Sequence, residues 1–248
     1  TEAYTFPHRT FQEFMAACHL VGVEDYPGEA ARLAREEPTR WREVFVLAAG
    51  HAARTHRLVQ AISAVNALCP REVRRVSQPD DAAYRAACLR AQLAGEALLE
   101  IGMIGVRREE AGQAALARAQ DWLVAAMRAD AVLEPKERAG AGDTLARLGD
   151  PRFLAEAWRL PDEPLLGFVE VPEGQFVMGE GDGQHELTLP TYYVARYPVT
   201  VAQFRAFVED SGFQPGDTDS LRGVDNRPVV WADWHEALAY CDWLTERL

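Results

Sequence analysis

Apolar residues recur at helical spacing over the first 150 positions of the chain and alternate with polar residues over much of the last third. The first helix is predicted near the start, where one apolar stripe occupies positions i, i+3, i+4 and i+7: Phe11, Phe14, Met15 and Cys18. Thr10 and Glu13 have the spacing of a capping box, and Gly22 ends the pattern.

The same periodicity predicts further helices with short connections. Their apolar positions are Trp41, Phe45 and Ala48; Leu58, Ile62, Val65 and Leu68; Tyr84, Ala87, Cys88 and Ala91; and Leu116, Leu123 and Met127. A last helix is predicted from Pro135 to Leu148, because proline suits a first helical turn and Gly149 suits the position after the last. About six helices without an exact sequence period predict an α-solenoid of irregular repeats over residues 1–160.

Beyond Pro161 the composition changes to Val, Thr, Tyr, Trp, Pro and Gly, which predicts a second domain over residues 166–248. Alternation from Phe168 to Gly179 and from His185 to Tyr193 predicts two antiparallel strands. The overall class is therefore α+β, with an all-α domain first.

Two helices are predicted after these strands. Thr200 and Gln203 begin one as a capping box, Gly212 ends it, and its buried stripe is Phe204, Phe207 and Val208. Asp233 and Glu236 begin the other, whose inner face is predicted to hold Trp234, Leu238, Cys241, Leu244 and Leu248.

The net charge limits the kinds of partner, and the cysteine usage indicates the cellular compartment. A net charge of -12 opposes binding to nucleic acid or anionic membranes. Arg71, Arg74 and Arg75 form a local basic cluster, for which a solvated turn is the favoured interpretation. The four cysteines are scattered, which predicts reduced thiols in a cytoplasmic protein. No signal peptide or apolar run of membrane-spanning length occurs in the sequence.

No catalytic or cofactor-binding constellation is visible in the sequence. The predicted ligand-binding residues are Trp231, Arg222, Asp225 and Asn226, because an aromatic residue beside charged loop residues suits recognition. A core position for Trp231, closing the sheet, is supported at least as well. The loop oxygens of Asp217, Asp219, Asp225 and Asn226 could bind calcium, although a solvated turn uses the same residues.

The segment from Phe168 to Leu248 resembles the first half of a formylglycine-generating-enzyme (sulfatase-modifying factor) domain, a variant of the C-type lectin fold. The resemblance rests on the pattern GQFVMG at 174–179, on PVT at 198–200 and on the aromatic residues around Tyr240 and Trp243. The resemblance implies a truncated domain, because the family's active-site cysteines belong to a second half that does not follow Leu248.

Two segments of the helical region carry a further resemblance. The opening FPHRTFQEFMAACHL is similar to an element that follows the nucleotide-binding domain in NACHT-type STAND ATPases. The stretch VLEPKERAGAGDTLARLGDPR resembles a helical repeat that precedes sulfatase-modifying-factor domains in bacterial proteins. The chain itself has no phosphate-binding loop of the type G-x-x-x-x-G-K-[ST].

Together these features predict a noncatalytic recognition module of a bacterial STAND/NACHT-type protein or of a variable protein diversified by a retroelement. The lectin-like domain would display a binding surface on a helical arm, and a protein ligand is favoured over a sugar. The alternative is a copper-dependent formylglycine-generating oxidase whose catalytic half is missing. A third interpretation is an architectural repeat protein without a ligand.

Overall fold

The computed structural model describes residues 8–73, 81–154 and 156–248, so Arg74 and Arg75 of the predicted basic cluster lie outside the described residues. The chain divides into two compact units, Thr1–Asp150 and Pro151–Leu248. The described part of the first unit is helical, and the second combines helices with short antiparallel strands. This confirms the predicted α+β class with an all-α region first.

Eight helices form the described part of the first unit. They are α1 (Arg9–Val21), α2 (Tyr26–Glu36), α3 (Pro38–Arg54), α4 (Leu58–Leu68), α5 (Ala82–Ile101), α6 (Met103–Arg108), α7 (Glu110–Met127) and α8 (Pro135–Leu148). Helix α1 packs on α3, α2 on α4, α3 on α5 and α5 on α7. These contacts, each between a helix and the next but one along the chain, are those of stacked helical hairpins, in agreement with the predicted irregular repeats.

Small residues form much of the interior of this unit. In α5 the fully buried positions include Ala91, Ala94 and Ala97, and a Cβ atom added at Gly95 would lie 2.9 Å from Cγ2 of Thr144 in α8. Alanine and glycine therefore allow the helix backbones to approach closely. Among the few large side chains of this interior, Trp122 is 1% exposed.

Helix α1 differs from the sequence prediction at its start and in its buried face. It begins at Arg9 with His8 as the N-cap residue, so Thr10 lies inside the first turn and the predicted capping box does not form. The Glu13 carboxylate accepts a hydrogen bond from Nε of Arg9 at 2.7 Å. The predicted stripe is largely exposed, with Phe11 at 59% and Met15 at 53%, whereas Ala17, Leu20 and Val21 are buried. Helix α1 therefore has apolar residues on two faces, and the buried face is the one that contains Ala17, Leu20 and Val21.

Periodicity also missed α2 completely. Its buried side consists mainly of alanines, Ala30, Ala31 and Ala34, with Tyr26 at the first turn. Alanine gives little contrast with the polar residues between them, so no stripe stands out in the sequence. Proline at the second position and the Asp25 carboxylate, which accepts from the Gly28 amide at 3.3 Å, mark the start of the helix.

A long antiparallel hairpin opens the second unit. Strand β1 (Phe168–Val171) pairs with β4 (Tyr192–Ala195), and β2 (Gly174–Met178) pairs with β3 (His185–Leu189). Both ladders keep one register, since Val171 lies opposite Tyr192 and Gly174 opposite Leu189. The two predicted strands are therefore confirmed, with one interruption.

The interruption falls at Pro172 and Pro190, which have no amide hydrogen to donate to a ladder. Between them, the Glu173 amide donates to Oγ1 of Thr191 at 3.1 Å. The Glu173 amide thus has a side-chain acceptor where the ladder is interrupted, and the register continues across the gap.

Two helices complete the unit, α9 (Val201–Ser211) and α10 (Trp234–Thr245), and both predicted capping boxes are present. The core between them is aromatic: the Phe207 ring lies 5.7 Å from Tyr240 and 5.5 Å from Trp243. Nε1 of Trp243 donates to the Asp210 carboxylate at 2.7 Å. The hydrogen bond from Trp243 is the main cause that lowers the pKa of Asp210, and the nearby Arg247 lowers it further.

The inner face of α10 differs from the predicted one except at Leu244, which is buried as predicted. Trp234 is 71% exposed and Leu238 44% exposed, and Cys241 also faces outward, whereas Tyr240, Trp243 and Leu244 are buried. The helix has apolar residues on both sides. The buried side is the one whose rings fit against Phe204 and Phe207 of α9.

No helix among the described residues has both the length and the apolar character needed to cross a bilayer.

A first prediction concerns the contact between α6 and α7. A Cβ atom at Gly112 would lie 2.2 Å from the carbonyl oxygen of Val106, so Gly112→Ala must move backbone. We expect Gly112→Ala to lower the free energy of unfolding by about 1–3 kcal/mol, measured by urea denaturation.

The matched control is Gly140→Ala in the interior of α8, where the added Cβ meets only the flexible end of Gln92 at 2.9 Å. There the higher helix propensity of alanine should leave stability unchanged or raise it by up to about 1 kcal/mol. Equal effects of the two substitutions would contradict the close approach of α6 and α7.

A second prediction tests the orientation of α10. In the native chain, iodoacetamide should alkylate the exposed Cys241 much faster than the buried Cys69 and Cys88, as followed by peptide mass mapping. Burial raises the pKa of Cys88 to about 11 and also raises that of Cys69, which slows both reactions further. Protection of Cys241 would show that the sequence-based orientation was correct.

Candidate functional site

The predicted ligand-binding residues lie in the segment that joins α9 to α10. Its backbone is tied to the start of α9: the Val229 amide donates to the Val199 carbonyl oxygen at 2.8 Å, and the Val201 amide donates to that of Arg227 at 2.9 Å. Thr200 and Pro228 form a single bridge of β type between these bonds. The part of the segment that approaches α10 is therefore held by backbone hydrogen bonds to the start of α9.

Arg205 of α9 holds the middle of the segment. Its Nη1 donates to the Asp225 carboxylate at 2.8 Å, and its Nη2 donates to the Leu221 carbonyl oxygen at 3.0 Å. One guanidinium thus joins two points of the loop that are four residues apart, a use to which its planar fork is suited. The Asp225 side chain points toward α9 and is part of the support of the loop.

Glu236 holds the first part of the same segment. It is 4% exposed, and its carboxylate accepts from the amides of Asp233 at 2.8 Å and Gly216 at 2.7 Å. The capping interaction at the start of α10 therefore also fixes a turn twenty residues earlier. A buried carboxylate with two backbone donors has the hydrogen bonds that its burial requires.

The Trp231 side chain projects from this fixed segment into solvent. Its side chain is 67% exposed, and Val230 and Trp234 beside it are 57% and 71% exposed. The backbone of Trp231 has a φ of 62°, in the left-handed region that a bulky residue seldom adopts. The core position that the sequence left open for this tryptophan is therefore wrong, because the ring lies at the surface.

The other predicted residues occupy different environments. Arg222 has a side chain 77% exposed and pairs with Asp219 at 2.6 Å. Asn226 is half-buried, as is Asp225. Among the described contacts, no hydrogen bond, ion pair or ring contact joins Trp231 to Arg222. The two residues share the loop between α9 and α10, but their side chains do not form one cluster.

The oxygens considered for calcium already accept hydrogen bonds or face cations of the protein. The Asp217 carboxylate accepts from the Asp219 amide at 2.8 Å, Asp219 pairs with Arg222, and Asp225 pairs with Arg205. Within residues 8–73, 81–154 and 156–248, no three His, Cys, Asp or Glu side chains are grouped as metal ligands would be.

Charge is distributed unequally between the units. Residues 151–248 contain 7 arginines and no lysine against 17 acidic residues, a formal charge of -10, whereas residues 1–150 contain 19 basic and 21 acidic residues. Arg222 is therefore an exposed cation on a strongly acidic unit. Such a field favours encounters with basic surfaces and opposes polyanions.

Sequence reasoning found the loop and its exposed residues but missed Arg205 and one role of Glu236. The capping spacing revealed the bond of Glu236 to Asp233, which is local. The bond to Gly216 and the two bonds of Arg205 join residues 16–20 positions apart. An arginine on a predicted helix has no local signature of such a role.

Comparison with known proteins agrees with this division of the chain. Residues 155–248 match the family model of the sulfatase-modifying factor enzyme 1-like domain. The chain is also 29% identical over 119 residues to the serine/threonine-protein kinase Pkn1 of Chlamydia trachomatis serovar L2, an alignment that covers 38% of this chain.

The chain spans about a fifth of that kinase, 19% of its length. No solved structure matches the chain. The second unit is thus a domain similar to sulfatase-modifying factor enzyme 1, and it follows an all-α unit that the family model does not cover.

Proposed function

We propose that this chain is a noncatalytic recognition module, in which the second unit presents the loop between α9 and α10 to a protein partner. The observation that carries the proposal is Trp231, an exposed aromatic side chain held with a left-handed backbone on a fixed segment. Strained backbone persists only where its surroundings determine it, and it is frequent at ligand contacts. Exposed tryptophan and arginine are the residue types that most often dominate the binding energy of interfaces.

Support for a protein partner comes from the chemistry around Trp231. Val230 and Trp234, close to Trp231 in the sequence, are also exposed apolar side chains, and Arg222 adds a cation with several donors. The surrounding charge of -10 favours a partner with a basic rim around an apolar centre. Nucleic acid and anionic membranes would be repelled by the same field.

The fixed loop supports recognition for a second reason. Arg205 and Glu236 determine its backbone before any partner arrives, so little conformational entropy would be lost on binding. Side chains on such a loop can vary without loss of the supports beneath them. This property suits the diversified variable proteins to which the sequence shows a resemblance.

The wider setting of the module is part of the proposal. The resemblance of the opening segment supports a bacterial, cytoplasmic STAND/NACHT-type protein in which the helical unit acts as an arm. A similar segment in a protein named as a serine/threonine-protein kinase supports the occurrence of such domains within longer signalling proteins.

The third prediction tests Trp231 directly. A photo-crosslinking amino acid replaces Arg222 in the native host, and the adduct identifies the partner by mass spectrometry. We expect Trp231→Gly to weaken binding of that purified partner at least about 30-fold in calorimetry, as for a central interface residue.

Glycine accepts a φ of 62° without strain, so Trp231→Gly should not lower the thermal midpoint. The control crosslinker replaces Ile104, which is 84% exposed in the first unit, and should not give the same adduct. The same adduct from both positions, or unchanged affinity of the folded Trp231→Gly protein, would contradict the proposed surface.

The fourth prediction separates recognition from oxidation. The chain, loaded with copper under air, should give no aldehyde product from a cysteine-containing sulfatase peptide, as followed by mass spectrometry. Turnover that depends on copper and is lost on Cys241→Ser would reverse the proposal in favour of the oxidase. Cys241 is the informative position because it is an exposed thiol of the second unit.

A further inference from the structure

Arginines from different helices converge on the last turn of α4 in the first unit. Arg35 of α2 donates from Nη1 to the carbonyl oxygen of Ala67 at 2.9 Å. Arg118 of α7 donates from Nη2 to the side-chain oxygen of Asn66. The two guanidinium groups thus meet the same end of α4 from two sides.

Arg90 of α5 joins this group. It interacts electrostatically with Arg35 and with Cys69, the residue that follows α4. Burial lowers the pKa of Arg90, and the charge of Arg35 lowers it further. Cys69 offers no compensating charge, because burial raises the pKa of its thiol.

Apart from the Cys69 thiol, Arg90 has no favourable partner in the part of the chain that the structure describes. Its Nε is buried without an acceptor, and Nε of Arg118 is in the same state. Among the described residues, no hydrogen bond or ion pair of Arg90 exists. Arg35 is exposed and Arg90 and Arg118 are half-buried, so the group reaches the surface. An added acceptor for the buried Nε donors would gain stability.

Some arginines of the unit pair with a carboxylate, whereas those of this group do not. Arg54 pairs with Glu100 at 3.0 Å, and Arg42 pairs with Glu96. No carboxylate of the described residues lies within ion-pair distance of Arg35, Arg90 or Arg118. Three positive charges therefore gather in a unit whose basic and acidic residues, 19 and 21, nearly balance.

The carbonyl end of α4 explains only part of the arrangement. The partial negative charge of a helix C-terminus attracts cations, and Arg35 and Arg118 use an acceptor there. Arg90 makes no such bond, and its position beside Arg35 costs electrostatic energy. An external anion would supply both the missing acceptor and the missing charge.

We propose that Arg35, Arg90 and Arg118 form a binding site for a small phosphate-type oxyanion, either inorganic phosphate or the phosphate group of a small monoester. Tetrahedral oxyanions accept several hydrogen bonds at once, and guanidinium forks match their geometry. The site belongs to the helical unit and is independent of the loop that carries Trp231.

The experiment is calorimetric titration of the purified chain with inorganic phosphate and, separately, with phenyl phosphate, at an ionic strength fixed with sodium chloride. We expect saturable binding of at least one of them. Arg90→Gln and Arg118→Gln should each weaken it at least about 10-fold, as expected for charge-assisted hydrogen bonds. Tighter binding of phenyl phosphate would assign the site to a monoester, and tighter binding of phosphate to the free ion.

Arg54→Gln is the matched control, because it removes a partly exposed arginine of the same unit that has a carboxylate partner. It should leave the affinity unchanged. In chloride alone, Arg90→Gln should keep or raise the thermal midpoint, since it relieves repulsion with Arg35. The proposal is wrong if neither ligand binds saturably, or if Arg54→Gln weakens binding as much as Arg90→Gln.

Discussion

The aromatic contact between α9 and α10 determines the arrangement of the second unit. Phe204, Phe207, Tyr240 and Trp243 form most of its small core, and the Asp210 carboxylate holds the indole of Trp243 in place. Once these rings are packed, the rotation of α10 about its own axis is fixed. Trp234, Leu238 and Cys241 must then face outward, and Glu236 must point back toward Gly216.

Local chemistry made most elements of the chain predictable. The capping boxes at Thr200 and Asp233, and Pro135 at the start of α8, depend on residues at most three positions apart, and each element begins where these signals place it. The hairpin followed from simple alternation. Its register continues past two prolines, where Thr191 accepts a hydrogen bond from the Glu173 amide, a detail that alternation alone does not reveal.

Faces and long-range supports were not predictable in the same way. Helices α1 and α10 each carry apolar residues on two sides, so periodicity finds the helix but cannot choose between the sides. The choice depends on which residues the neighbouring helix offers. Arg205 and Glu236 likewise hold the loop through partners that only the fold brings near. The sequence left Trp231 open between a surface and a core position, because its exposure follows from these supports.

The hairpin has a consequence for the order in which the unit folds. Its outer half, β2 and β3, closes a short turn and can form within about 1–10 microseconds, as isolated hairpins do. Its inner half, β1 and β4, joins residues as far apart as Phe168 and Ala195 and must close a longer loop. An isolated two-stranded ribbon is marginal in water. The outer half therefore persists only after Phe168, which packs against the aromatic core, has anchored the base, and the proline break marks the border between an early and a late step.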